Sequence, residues 1–161
     1  DLARDVELLE VNVIALTRLT KLMLGPMLAR GHGCIMNVAS TAAFQPGPLM
    51  AVYYASKAYV LHFSEALANE LEGTGVTVTA LCPGPTESAF WDRSPLDSIR
   101  ISSVGVMSAP DVARAGYRGL LAGRPVVIPG RVNRMLAKAY RVTPRKLGAR
   151  IVRHLQEQRR R

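Results

Sequence analysis

The chain has 161 residues, 48% of them hydrophobic, with a formal net charge of +9. That length supports one real core and excludes two independent domains. No apolar run approaches the roughly 20 residues of a spanning helix, and no charged-then-apolar leader opens the chain, so Asp1 reads as an internal cut.

Asp1 to about Arg30 predicts a long helix, with Leu8, Leu9, Val11, Ile14, Leu16, Leu19, Met23 and Met27 recurring at three- and four-residue spacing. Gly25-Pro26 should kink or loosen its last turn. Cys34–Ala39 is a short apolar run that predicts a buried strand. A loop punctuated by Pro46, Gly47 and Pro48 leads into a second long helix, about Val52 to Leu71. Val76–Leu81 predicts a second buried strand, ended by Cys82-Pro83-Gly84-Pro85, which cannot continue a ladder. Glu87–Met107 shows no period and is long for a connection. Ser108 is a candidate helix cap with Pro110 in the first turn, and that helix should reach about Ala122. Val126–Ile128 predicts a third strand, and two basic helices parted near Thr143-Pro144 finish the chain.

Strands separated by helices imply right-handed crossovers and a parallel sheet covered on both faces. The chemistry of such a sheet lies beyond the carboxyl ends of its strands, here at Ser40 and at the Pro83-Gly84 turn. The charge is lopsided. From Arg131 onward eleven Lys/Arg face one acid, Glu157, whereas Asp1–Gly130 holds ten basic and eleven acidic residues. Basicity therefore belongs to the tail and says nothing about the body. Cys34 and Cys82 lack metal or disulfide spacing and are expected to be buried free thiols, which suits a reducing, cytoplasmic setting. His32, His62 and His154 have no partners at ligand spacing, so no metal site is expected.

Tyr53 and Lys57 lie four apart near a helix start and share a face. A free tyrosine titrates near 10, too high for ready proton exchange at neutral pH, and a nearby ammonium favours the phenolate. Tyr54 and Thr41 are the neighbouring alternatives, but only Tyr53 precedes Lys57 by four. The stretch Asn37-Val38-Ala39-Ser40, followed by Tyr53-Tyr54-Ala55-Ser56-Lys57-Ala58, resembles the active-site signature of the short-chain dehydrogenases/reductases. Asn12 sits where that family's helix asparagine is expected, and Cys82 to Ser88 resembles its P-G-x-[VI]-x-T turn.

The resemblance runs to about Gly130. It implies a partial Rossmann-like, doubly wound α/β sheet over 1–130, with 131–161 a basic helical tail. It implies Tyr53 as general acid and base, Lys57 as its pKa partner and ribose ligand, and Ser40 as donor to the substrate oxygen. Asn12 would hold a water leading from Lys57 to solvent. Pro83, Gly84, Thr86 and Ser88 would contact the nicotinamide end of NAD or NADP, with NADP slightly favoured. Cys-Pro-Gly-Pro and Phe90 point towards the acyl-reductase and steroid-reductase-like branch. The glycine-rich T-G-x-x-x-G-x-G turn that holds the pyrophosphate does not occur in this sequence, nor does an N-N-A-G segment, so the catalytic C-terminal part is expected, with little activity alone.

The resemblance implies that the Glu87–Met107 segment is a substrate lid; Phe90, Trp91, Leu96, Ile99 and Val104 make it apolar, which suits a hydrophobic carbonyl or alcohol substrate, with core packing the alternative reading. Val142, Leu147, Ile151, Val152 and Leu155 among the tail's arginines suit either an interfacial helix on anionic lipid or a stripe packed on the body. No aromatics interleave with those charges, so nucleic acid is not an expected partner. In the resembling family the two long helices, here 1–30 and 52–71, pack across a subunit interface. A homo-oligomer is therefore expected. The rival reading is a non-catalytic dimerisation module.

Overall fold

The computed structural model describes residues 1–87 and 105–158. Its first 30 residues form one helical rod in three parts: α1 (Leu2–Leu9), a π-helical turn (Glu10–Ala15) and α2 (Leu16–Arg30). Pro26 lies inside α2, which ends only where Gly31 takes a left-handed φ of 72°. There follow β1 (Gly33–Val38), a 3-10 turn (Thr41–Phe44), α3 (Ala51–Glu70), β2 (Val76–Leu81) and β3 (Thr86–Glu87). Then come β4 (Met107–Ser108), α4 (Ala109–Leu121), β5 (Val126–Val127), α5 (Arg131–Val142) and α6 (Arg145–Gln158).

Strands β1, β2 and β5 form a parallel sheet in that order, with Gly33 opposite Val76, Val38 opposite Leu81, and Ala80 opposite Val126. Parallel neighbours need crossovers, and α3 and α4 supply them. Side chains alternate across the pleat. Asn37 reaches Thr20 of α2 and Ser64 of α3, while the adjacent Met36 meets α4 at Gly116. Helices thus cover both faces, as expected for a doubly wound α/β sheet. Val76, Val78, Ala80 and Cys82 face α2 and α3, packing with Leu24, Val60, Leu61 and Leu67. Burying each large aliphatic of this set contributes about 1.5–3 kcal/mol.

One expectation needs correction. Cys82 is buried, but Cys34 is exposed. Among the described residues β1 has one strand neighbour, β2, and α4 packs against β1 at Met36, leaving Cys34 at the strand's start and Val38 at its end exposed. Ser108 caps α4 as expected, its Oγ accepting from the Asp111 amide at 3.2 Å. The pairing of Thr86 with Met107 and Glu87 with Ser108 was not foreseen; it ties together the two ends of the expected lid. The lid residues Phe90, Trp91, Leu96, Ile99 and Val104 lie outside the described residues, as does Ser88.

Candidate active site

The carboxyl ends of β1 and β2 are stitched together beyond the sheet. The Ala39 amide donates to the Leu81 carbonyl at 2.8 Å, and the Thr41 amide to the Pro83 carbonyl at 2.8 Å. Ser40 and the Pro-Gly turn therefore lie side by side. Ser40 is extended, and its Oγ accepts from the Ala42 amide at 3.1 Å, so the hydroxyl that faces the cleft also caps the 3-10 turn.

The first turns of α3 carry Tyr53 and Lys57 into the same cleft. The Ser40 side chain acts on the Tyr53 phenol and lowers its pKa. Lys57 Nζ donates to the Val38 carbonyl at 3.0 Å and stands 5.9 Å from the centroid of the Tyr53 ring. Burial raises the Tyr53 pKa above 10.0, and Ser40 offsets only part of that. Burial lowers the Lys57 pKa, with Cys82 pulling the other way. The direction at Tyr53 is opposite to the one the Tyr–Lys spacing predicts. Desolvation is the larger cause of the shift, and Lys57 directs an N–H at a backbone carbonyl.

Asn12 lies in the π-helical turn, an element that recurs at functional sites because it re-aims side chains within a rod. Its Nδ2 donates to Ser56 Oγ at 3.1 Å, and that hydroxyl donates to the Tyr53 carbonyl at 2.8 Å. Asn12 thereby braces the turn that carries Tyr53. Pro83, Gly84 and Thr86 line the cleft as well, and Thr86 Oγ1 donates to the Gly84 carbonyl at 3.0 Å. Asn12, Ser40, Tyr53, Lys57, Pro83, Gly84 and Thr86 thus meet around one cleft of about 970 Å³. No group of three metal-ligating side chains occurs among the described residues.

A family model described as short chain dehydrogenase matches residues 4–98. The chain belongs to the short-chain dehydrogenase family. It is 44% identical over 94 residues to a short chain dehydrogenase of Pseudocercospora fijiensis, covering 58% of this chain and 30% of that protein. It is 36% identical over 112 residues to the very-long-chain 3-oxoacyl-CoA reductase of Rattus norvegicus, covering 70% of this chain and 34% of the other. A solved short-chain dehydrogenase from Sphingobium yanoikuyae in complex with NADPH superposes with a TM-score of 0.70 at 30% identity, over 81% of this chain and 50% of that one. The chain spans about a third of the length of these curated relatives.

Several cleft residues of this short-chain dehydrogenase chain escape a reading of the signature. Tyr54 is wedged against Gly47, where an added Cβ would strike the ring, and its hydroxyl accepts from Gln156 Nε2 at 3.0 Å. Gln156 and Val152 are buried, and with Leu136, Ala137, Tyr140 and Leu155 they bring α5 and α6 to the cleft as a wall. Of the five apolar residues singled out in the tail, Val152 is buried, whereas Val142, Leu147, Ile151 and Leu155 are 40% or more exposed. The helical spacing of Val152 and Gln156 was the available signal, although nothing in it names Tyr54 as the partner. Gln45 lines the cleft with a buried Oε1 that has no hydrogen-bond partner.

Proposed function

We propose that this chain carries the catalytic part of an NAD(P)-dependent oxidoreductase that interconverts a hydroxyl and a carbonyl on a hydrophobic small molecule. The observation that carries the reading is the convergence of Ser40, Tyr53 and Lys57 on one cleft, with Lys57 Nζ 5.9 Å from the centroid of the Tyr53 ring. In the reductive direction Tyr53 would pass its phenolic proton to the carbonyl oxygen while Ser40 donates a hydrogen bond to that oxygen, steadying the charge that builds there. In the oxidative direction Tyr53 would take the proton back. Asn12 would act through the α3 turn it braces and serve a water path from Lys57.

The donor set fits the nicotinamide end of a dinucleotide. Lys57 and Tyr53 would reach the ribose hydroxyls, and Pro83, Gly84, Thr86 and Ser88 would line the nicotinamide. When bound, that group would supply or accept the hydride. The sequence holds no glycine-rich phosphate turn, so the chain alone should bind the dinucleotide weakly. The 3-oxoacyl-CoA reductase relative and the apolar lining from Leu8, Val11, Met50, Leu136 and Leu155 support a 3-oxoacyl, steroid-like or similarly apolar substrate. The NADPH complex of one solved relative and the NADH complex of another, a 3-ketoacyl-(acyl-carrier-protein) reductase, support a nicotinamide dinucleotide and do not separate NADP from NAD.

The test is turnover of the native polypeptide with NADPH and NADH against 3-oxoacyl thioesters and ketosteroids, beside its Tyr53→Phe variant. Loss of turnover with an unchanged melt supports the reading. Equal turnover in both proteins overturns it.

A second reading, association through the helical rod, is favoured by the exposed Leu2, Val6, Val11, Leu19 and Leu22 along it, with Tyr59 of α3 alongside. We propose a homo-oligomer through helices 1–30 and 52–71. Sedimentation of a Leu19→Glu, Leu22→Glu variant as the same species as wild type would refute it. For the tail we propose surface contact with anionic membranes from a cytoplasmic site and none with nucleic acid. No helix among the described residues is long and apolar enough to cross a membrane. Failure to co-sediment with phosphatidylserine vesicles at low salt removes the membrane proposal.

A further inference from the structure

One carboxamide outside the signature is buried against the cofactor turn. Asn133, in the first turn of α5, is 3% exposed. Its Nδ2 donates to the Gly105 carbonyl at 3.0 Å and to the Pro129 carbonyl at 3.2 Å. A buried amide is stable only when so paired. Three glycines close around it. A Cβ at Gly84 would come within 2.4 Å of Asn133 Cγ, one at Gly105 within 2.7 Å of Oδ1, and one at Gly130 within 3.1 Å of Nδ2.

The three glycines are not equivalent. Gly105 and Gly130 adopt φ values of 84° and 82°, so their conformation alone favours glycine. Gly84 has no positive φ and could accept a side chain on backbone grounds. What forbids one is Asn133. The two residues are 49 positions apart, yet each dictates the other's size.

We propose that Asn133 is a positioning residue for the nicotinamide end of the cleft, which deepens the functional reading above and rests on it. The carboxamide fastens Gly105 and Pro129 to α5, and its body sets how far the Gly84 turn can move towards α5. The backbone from Pro83 to Thr86 is thereby held at one distance from Tyr53 and Lys57. Leucine shares the branched side-chain skeleton of asparagine but is larger and donates no hydrogen bond, so what the carboxamide adds is its hold on the two backbone carbonyls.

Two measurements on the native polypeptide test this. In hydrogen exchange, Asn133→Ala should speed the amide of Met107, which donates to Pro85 at 3.1 Å, while β2 amides hold their wild-type rates. In NADPH binding followed by nucleotide fluorescence, Asn133→Ala and Gly84→Ala should each raise Kd about ten-fold. The double variant should bind no worse than Gly84→Ala alone, because removing the carboxamide clears the space the new methyl needs. Asn133→Ser, which keeps a small donor, serves if the alanine variant does not fold. A Kd within two-fold of wild type, or losses that simply add in the double variant, overturns the proposal. If the native polypeptide binds neither NADPH nor NADH, the functional reading falls and this inference with it; the exchange pattern separately reports whether Asn133 holds the turn.

Discussion

Replacing Ser40 with alanine separates two tasks that one hydroxyl performs. Ser40 Oγ accepts from the Ala42 amide, and its side chain lowers the Tyr53 pKa. Loss of the cap leaves the amide of buried Ala42 without that acceptor, at a cost of about 1–2 kcal/mol. For a chain of this size that lowers Tm by about 2–8 °C. On the proposed function, in which Ser40 donates to a developing oxyanion, its loss should cost about 10²–10³-fold in kcat. The Tyr53 pKa should also rise further, since Ser40 is what lowers it. The assay pairs kcat for carbonyl reduction with a thermal melt for Ser40→Ala, Ser40→Thr and Thr41→Val. Ser40→Thr, which keeps the hydroxyl, and Thr41→Val should both retain activity. A Ser40→Ala protein with kcat within three-fold of wild type refutes the reasoning. So does a Thr41→Val protein that loses activity in its place.

Burial holds Tyr53 protonated beyond 10.0, so kcat/KM for alcohol oxidation, which needs the phenolate, should climb about ten-fold per pH unit through pH 9. A plateau below pH 8 would mean that the Lys57 charge wins over desolvation. Cys82 is pushed from 9.0 up to about 12 by burial, with Glu65 adding to the rise. A raised folded pKa contributes stability that is complete below 9.0 and is lost as pH rises towards 12, about 1.4 kcal/mol of it by pH 10. Urea unfolding at pH 7 and pH 10 should show that extra loss in wild type and not in Cys82→Ala; identical losses in both would discard the assignment. Under native conditions a maleimide should label Cys34 and leave Cys82 untouched until denaturant is added. Asn37→Ala removes the bond to Ser64 at 3.0 Å and the acceptor for Thr20 within a buried site, which should cost about 2–3 kcal/mol by urea unfolding. A cost below 1 kcal/mol would show that this polar link between sheet and helices is dispensable.

The amino-acid sequence by itself determined what depends on neighbours along the chain. Helix and strand periods gave the element order, Ser108 and Pro110 the start of α4, and the Pro83-Gly84-Pro85 run the end of β2. A spacing of four put Tyr53 and Lys57 on one face, and the order of strands and helices put Ser40 and the Pro-Gly turn at the same end of the sheet. These are local rules of geometry, and they suffice for a signature whose members lie close in sequence.

Tertiary structure decided whatever depends on a distant partner. Asn12 meets Ser56 across 44 residues and Gln156 meets Tyr54 across 102, and no spacing rule links such pairs. Asn133 is a helix residue in the sequence and becomes a clamp only where Gly84, Gly105 and Gly130 converge on it. Cys34 carries the apolar pattern of a buried strand, but burial requires a covering element, and α4 packs against β1 elsewhere. The sign of the Tyr53 shift belongs to the same class. Charge neighbours can be read from spacing, whereas desolvation depends on everything packed around the phenol, and here it is the main cause of the rise.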